Sequence, residues 1–523
     1  MIRNVGSPLV RTLLGLAASA VAAAARPQSG ELGRIEFPTS GSPAAQEHFL
    51  RGTLLLHSFE YSDAAEEFRK AQGLEPDFAM AFWGEAMTHN HPLWMEQDRD
   101  AARKCLARLA PTREARIAKA PTESERMYLR AVEALYGDGE KPARDRAYAE
   151  EMRRLHERFP EDLDAAALYA LALLGTCEGK RDVAVYMKAA AVAEGVFAAN
   201  PRHPGAAHYL IHCYDDPVHA PLGMRAARVY AKIAPAAVHA LHMPSHIFVA
   251  SGLWREAVAS NEASWKASVE RAERRKLSSG EHSFHALSWL EYSALQLGRW
   301  RDARRTLALM AEDAKAGSAH ASESLSAMRA AWIVETRRCS ADALPESARE
   351  PLDAFARGWC ALSSGDRAAA EKALAEMRSQ EKDGGSGSYD PHRKGTAASV
   401  LEKELEARLA LSAGDGARAE ALAHDAASEE DAMTFESGPP AVIKPAHELA
   451  GEILLALDRP ADARREFETS LSRAPGRSLS LLGLARAASK TGDASAADDA
   501  YARLAGNWKE ADEDLAELRE VRR

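Results

Sequence analysis

Between Gly52 and Pro76 the chain reads G-T-L-L-L-H-S-F-E-Y-S-D-A-A-E-E-F-R-K-A-Q-G-L-E-P. The stretch holds two helical runs joined by a short turn. Its small residues, Gly52, Ala64 and Ala71, let two antiparallel helices approach closely, and Pro76 stops the second helix. Similar turns recur along the chain. Gly252-Leu-Trp-Arg-Glu-Ala257 and Gly298-Arg-Trp-Arg-Asp-Ala303 are near-duplicates. Turns starting at Gly365, Gly414, Arg459 and Gly492 follow. Glycine at such a turn supplies the positive φ that the end of a helix requires. Alanine, leucine, arginine and glutamate dominate the composition and long strand-like alternation is missing, so an all-α chain is expected.

The pattern resembles the tetratricopeptide repeat, a helix pair about 34 residues long. Gly52, Ala64, Phe68, Ala71 and Pro76 match its positions eight, twenty, twenty-four, twenty-seven and thirty-two. Ala463, Phe467 and Pro475 restore a good match near the end. The resemblance covers most of the chain at low similarity. It implies a superhelical solenoid of antiparallel helix pairs whose first helices line a concave groove. The expected organisation is N-terminal repeats over 40–135, a histidine-rich central region over 136–290 and C-terminal repeats over 291–523. Loops are expected at 277–280, 340–345 and 384–388.

His208 and His212 read H-Y-L-I-H, His242 and His246 read H-M-P-S-H, and each member lies thirty-four residues from its counterpart. Residues at i and i+4 share a helix face. Equal positions of neighbouring repeats become neighbours in space. Four imidazoles are therefore expected on one wall of the groove. In the repeat's register, Pro235 at position thirty-two places His208 at five and His212 at nine, both groove-facing. The next repeat places His239, His242 and His246 at two, five and nine, and Ala257 at twenty checks that register. Ala303 at twenty places His285 at two. Pro76 places His57 at thirteen, and His91, thirty-four residues later, also at thirteen. Pro244 should kink its helix or start a new one, and a new start would carry His239 off the face. His203, just before Pro204, reads as a helix cap or a residue behind the site.

Imidazole is the commonest protein metal ligand. The expected ligands are His208, His212, His239, His242, His246, His285, His91 and His57. Neutral nitrogens with few thiolates suit copper first, with zinc, iron and nickel as alternatives, and disfavour calcium and magnesium. Six such histidines can hold two coppers, as in type-3 copper proteins, which this chain resembles in ligand type but not in fold or motif order. Asp215 and Asp216 read most plainly as a turn before Pro217. Their sharper reading is a carboxylate ligand or a group that orients an imidazole. Glu448 and Glu452 fall at positions five and nine of a late repeat, where exposed helix charge is the plain reading. An open coordination position would permit catalysis through activated water or dioxygen, whereas a closed four-histidine site would store, sense or brace.

Arg3 and Arg11 precede an apolar run from Leu13 to Ala25 that small residues close, the order of a secretory signal. Residues 1–26 are thus expected to direct export to the periplasm or beyond. No other run is long and apolar enough to span a membrane. Cys105, Cys177, Cys213, Cys339 and Cys360 are scattered, odd in number and lack a C-x-x-C pair, so small buried hydrophobes are expected rather than a disulfide framework. The formal net charge of −10 disfavours a nucleic-acid partner. No phosphate loop, nucleophile elbow, H-E-x-x-H or dinucleotide fingerprint is present in the sequence.

Two functions fit. The first is an exported metal-binding solenoid with a multi-histidine centre and a small-molecule or peptide ligand in its groove, a copper- or iron-dependent oxidoreductase being its furthest form. The second is a non-catalytic scaffold for a peptide or protein partner. Carboxylate-binding grooves of this repeat usually present lysine, arginine and asparagine at positions five and nine. Histidine at those positions favours metal.

Overall fold

The computed structural model describes residues 29–340, 344, 350–382, 396–434 and 437–522. The expected export signal, the loop at 384–388 and part of the loop at 340–345 lie outside the described residues. Residues 277–280 form a short loop running into a 3-10 turn, as expected.

The Gly52–Pro76 stretch folds as the helices Pro43–His57 and Tyr61–Leu74. Packing explains their close approach. The Phe68 ring is fully buried; a Cβ on Gly52 would lie 2.8 Å from it, and one on Gly84 of the next helix 2.3 Å. One aromatic ring is thus gripped by glycines from two successive first helices. Phe467 repeats the device between Gly451 and Gly483, at 2.7 and 2.3 Å. Any side chain at these glycines would force the helices apart in a close-packed core. The turn glycines behave as expected, with Gly252 at φ +69° and Gly298 at φ +67°.

Antiparallel helix pairs succeed one another from this first pair to Ser478–Thr491 and Ala494–Asn507. The architecture is an all-α solenoid of antiparallel helix pairs. Its sole sheet among the described residues is a hairpin of Asn90–His91 with Glu96–Gln97. A contiguous apolar core runs from Leu32 to Val521. Among the described residues no helix is long and apolar enough to cross a membrane.

The superhelix bends back on itself. Trp254 Nε1–H donates to the Gly476 carbonyl at 2.9 Å, Arg477 Nη1 to the Tyr292 hydroxyl at 3.0 Å, and the Ser478 N–H to Gln296 Oε1 at 2.9 Å. The C-terminal repeats therefore cover the central ones. The expected concave groove becomes a cavity of about 370 Å³ walled from both sides.

Two expectations are corrected here. Cys339 and Cys360 are joined in a disulfide, with Cα atoms 5.6 Å apart, whereas Cys105, Cys177 and Cys213 are free. The chain past one helix returns beside the next, a proximity that cysteine spacing does not reveal. Glu448 is not an exposed helix charge. It is fully buried, accepts from Arg477 Nε at 2.7 Å and from Lys444 Nζ at 2.7 Å, and Lys444 reaches Glu452 at 2.8 Å. Burial pushes the Glu448 carboxyl up, but Arg477 and Lys444 outweigh it and hold it below the ordinary range. The pair of glutamates braces the C-terminal repeats rather than facing a ligand.

Candidate metal centre

The helix Pro204–Cys213 carries His208 and His212. His203 caps it, its Nδ1 accepting from the Ala206 N–H at 3.2 Å, and proline follows in the first turn, where a missing N–H costs nothing. In the next repeat a new helix does start at Pro244, giving Val238–His242 and Pro244–Ala250. His239 nevertheless stays with the cluster. The helix Phe284–Gln296 brings His285.

Six of the eight expected ligands converge. His208, His212 and His239 each offer a ligand atom within 4.8 Å of the others, and so do His242, His246 and His285. His212, Asp215 and His246 form a third such group that links the two triads. The Nε2 atoms of His208 and His212 are 3.1 Å apart, and those of His242 and His246 are 3.0 Å apart. Ring centroids of His212 and His246 lie 5.5 Å apart, those of His239 and His242 5.9 Å.

His57 and His91 are not in either triad. His91 lies in the short hairpin, stacked on Tyr61 with centroids 4.0 Å apart, and its Nε2 faces the Thr88 carbonyl at 3.2 Å. The chain leaves the helical register there, so the repeat position carries no groove-facing meaning. His57 ends the first helix, fully buried behind the cluster. Its Nε2 pairs with Asp164 at 2.8 Å and its Nδ1 with the Tyr209 hydroxyl at 2.9 Å. His203 Nε2 lies 3.5 Å from the same Asp164 oxygen. Burial pushes the Asp164 carboxyl up, but His203 and His57 outweigh it and hold it below the usual range; burial lowers the His57 imidazole. This anchor reaches the centre through one bond: the His57 carbonyl accepts from His208 Nδ1–H at 2.7 Å.

The hydrogen-bond partners assign the tautomers. His208 must carry its proton on Nδ1, because a carbonyl only accepts. His246 Nδ1–H donates to the Asp215 carboxylate. His242 Nδ1 faces Asn261 Oδ1 at 2.6 Å, and Asn261 spends its Nδ2 on the Ala257 carbonyl at 2.9 Å, so His242 also donates from Nδ1. Each of these three imidazoles therefore presents a bare Nε2 lone pair toward the cluster. His242 and His246 present theirs to each other at 3.0 Å with no proton between. Such a pair is repulsive unless a cation is shared or one ring is charged. Charging of His242 is opposed: burial first, then the neighbouring imidazoles, push it, and likewise His208, His212 and His239, well below the ordinary histidine range. Three of the imidazoles are thus held by partners behind them with Nε2 left toward the cluster, an arrangement that could hold a metal ion.

Asp215 and Asn261 are the residues of the candidate site that sequence reasoning underrated or missed. Asp216 is the turn residue expected, pairing with Arg181 at 2.5 Å and His219 at 2.7 Å, whereas its neighbour Asp215 orients His246. The Asp-Asp-Pro spelling could have flagged a carboxylate near the histidines but not which one turned inward. Asn261 sits mid-helix in Trp254–Arg275 with no local signal at all. Cys213 is fully buried and belongs to neither triad.

No protein-family profile and no curated relative matches this chain. Among solved structures it is similar to Cut9-Hcn1 of an APC/C hetero-tetramer at 12% identity, covering 88% of this chain and 79% of that one, with a TM-score of 0.33. It is also similar to yeast Tom70, at 12% identity over 91% and 87% of the chains with a TM-score of 0.28. Human IFIT1, solved as a dimer with m7Gppp-AAAA, matches at 13% identity over 91% and 92% with a TM-score of 0.32. Overlap this low transfers no function.

Proposed function

We propose that this protein binds two transition-metal ions, one in each histidine triad, and that copper is the preferred ion, ahead of zinc and iron. Three neutral imidazoles per ion leave coordination positions open toward the cavity, which suits oxidative chemistry on a small molecule. The carrying observation is the His242–His246 pair, whose two Nε2 lone pairs face each other at 3.0 Å with both Nδ1 protons committed elsewhere. The Cys339–Cys360 disulfide supports an oxidising, exported setting.

A second reading is a scaffold for a protein or peptide partner, which solenoids of helix pairs suit well because they offer extended surfaces. It leaves the six convergent imidazoles without a task. Elemental analysis of the purified protein beside a His208→Ala/His242→Ala variant separates the two. Two metal ions per chain, lost in the variant, are expected. Absence of metal and of any uptake on titration would overturn the metal reading in favour of the scaffold.

A further inference from the structure

The cavity beside the triads has a lining that selects its occupant, and this inference rests on the metal-centre reading only for the reaction, not for the binding. We propose that the cavity takes an uncharged aromatic small molecule carrying one hydrogen-bonding group, phenols being the simplest members, as the substrate of the centre.

The aromatic preference comes from the walls. Trp289 lines the cavity, with its ring centre 4.4 Å from that of His246, 5.0 Å from that of His242 and 5.1 Å from that of His285. Trp94 lines it too, 6.1 Å from His239 of the other triad. Tyr186 and Tyr292 complete an aromatic frame. A ring packed against these faces lies next to the metal-facing imidazoles, and flat rings gain from offset or edge contact with such walls. The volume of about 370 Å³ falls within the range of pockets for small ligands and is too small for a folded partner.

The hydrogen-bonding group comes from Glu291, on the same helix as His285 and Trp289. It borders the cavity, is 1% exposed, and its Oε1 has no hydrogen-bond partner among the described residues. Burial, and then the nearby Glu335, push its carboxyl well above the ordinary range, which favours the protonated form, able both to donate and to accept. A buried polar atom left unpaired costs free energy that a ligand hydroxyl would recover. Charged ligands fit worse: a carboxylate would meet Glu323 and Glu350 on the wall, and burying an ammonium's charge costs more than burying a hydroxyl.

The test uses metal-free full-length protein and reads tryptophan fluorescence and titration heat with phenol, benzoate, benzylamine and cyclohexanol. Phenol is expected to bind about tenfold tighter than the other three. Glu291→Leu should weaken phenol about tenfold, and Glu291→Gln, which keeps a donor and an acceptor, should stay within about threefold of wild type. Equal binding of benzoate, benzylamine or cyclohexanol overturns the proposal, and so does absence of phenol binding. The wild-type ligand series decides the matter even if the leucine variant does not fold. Phenol binding in a protein that takes up no metal would leave the binding inference standing while the metal reading, and with it the substrate role, fails; metal uptake without phenol binding would overturn the binding inference alone.

Discussion

Replacing Asp215 probes the centre without removing a histidine. Its carboxylate, 3% exposed at the side chain, accepts the His246 Nδ1 proton and thereby leaves Nε2 bare. A hydrogen bond to a charged group contributes about 1.5–3 kcal/mol and a neutral one about 0.5–1.5 kcal/mol. Asp215→Asn keeps an acceptor and loses the charge, so about 1–1.5 kcal/mol should disappear, a roughly five- to twelvefold weaker metal at the second triad. Asp215→Ala removes the acceptor altogether. The proton is then free to move to Nε2 and block it, and a loss of about 100-fold is expected, the upper end for partners behind a ligand. The assay is competition for copper against a chromophoric chelator, starting from metal-free protein, with both ions resolved. The expected order is wild type, then asparagine, then alanine, with the first triad changed least. The reasoning is refuted if both variants bind two ions as tightly as wild type while His246→Ala loses one.

Acid should destabilise the metal-free protein in a defined window. The imidazoles of His208, His212, His239 and His242 lie below their unfolded value of 6.5, so below that pH the unfolded chain binds more protons than the folded one. Stability is therefore full above about pH 6.5 and falls as pH drops, by at most about 1.4 kcal/mol per pH unit for each histidine. Thermal scans should show this slope, and the His208→Ala/His242→Ala variant should show a shallower one; equal slopes would contradict burial of neutral rings. Removing the Cys339–Cys360 disulfide, whose partners are 21 residues apart, should cost about 3 kcal/mol by loop entropy. Thiol titration of denatured, unreduced protein should find three thiols, and five would show that the bond is not formed. Gly205→Ala should destabilise by about 1–3 kcal/mol, because its Cβ would lie 2.4 Å from His57 Nδ1. It should also weaken metal binding, since His57 holds His208; loss of stability with unchanged affinity would deny His57 that positioning role.

The helix-pair architecture was legible because it is local. Gly52, Ala64, Phe68 and Pro76 spell a packing rule that any neighbouring pair must satisfy, and Phe68 between Gly52 and Gly84 shows the rule at work. The two histidine pairs were legible for the same reason, since a repeat-length offset becomes a one-layer offset in a stack. His91 failed this logic where the helix gives way to the Asn90–His91 hairpin, a break that repeat counting passes over. His57 failed it because its helix ends there, turning a groove position into a buried anchor on Asp164.

Composition, periodicity and spacing specify which residues share a helix face and which faces repeat, because helix geometry and stacking act over one or two turns. They do not specify how the solenoid closes. That Gly476 meets Trp254, that Glu291 Oε1 is left without a partner among the described residues, and that Asp215 and Asn261 commit the protons of His246 and His242 are consequences of chain segments far apart in sequence packing together. The sequence therefore names the imidazoles, while the long-range packing sets their tautomers, their burial and the shape of the chamber they face.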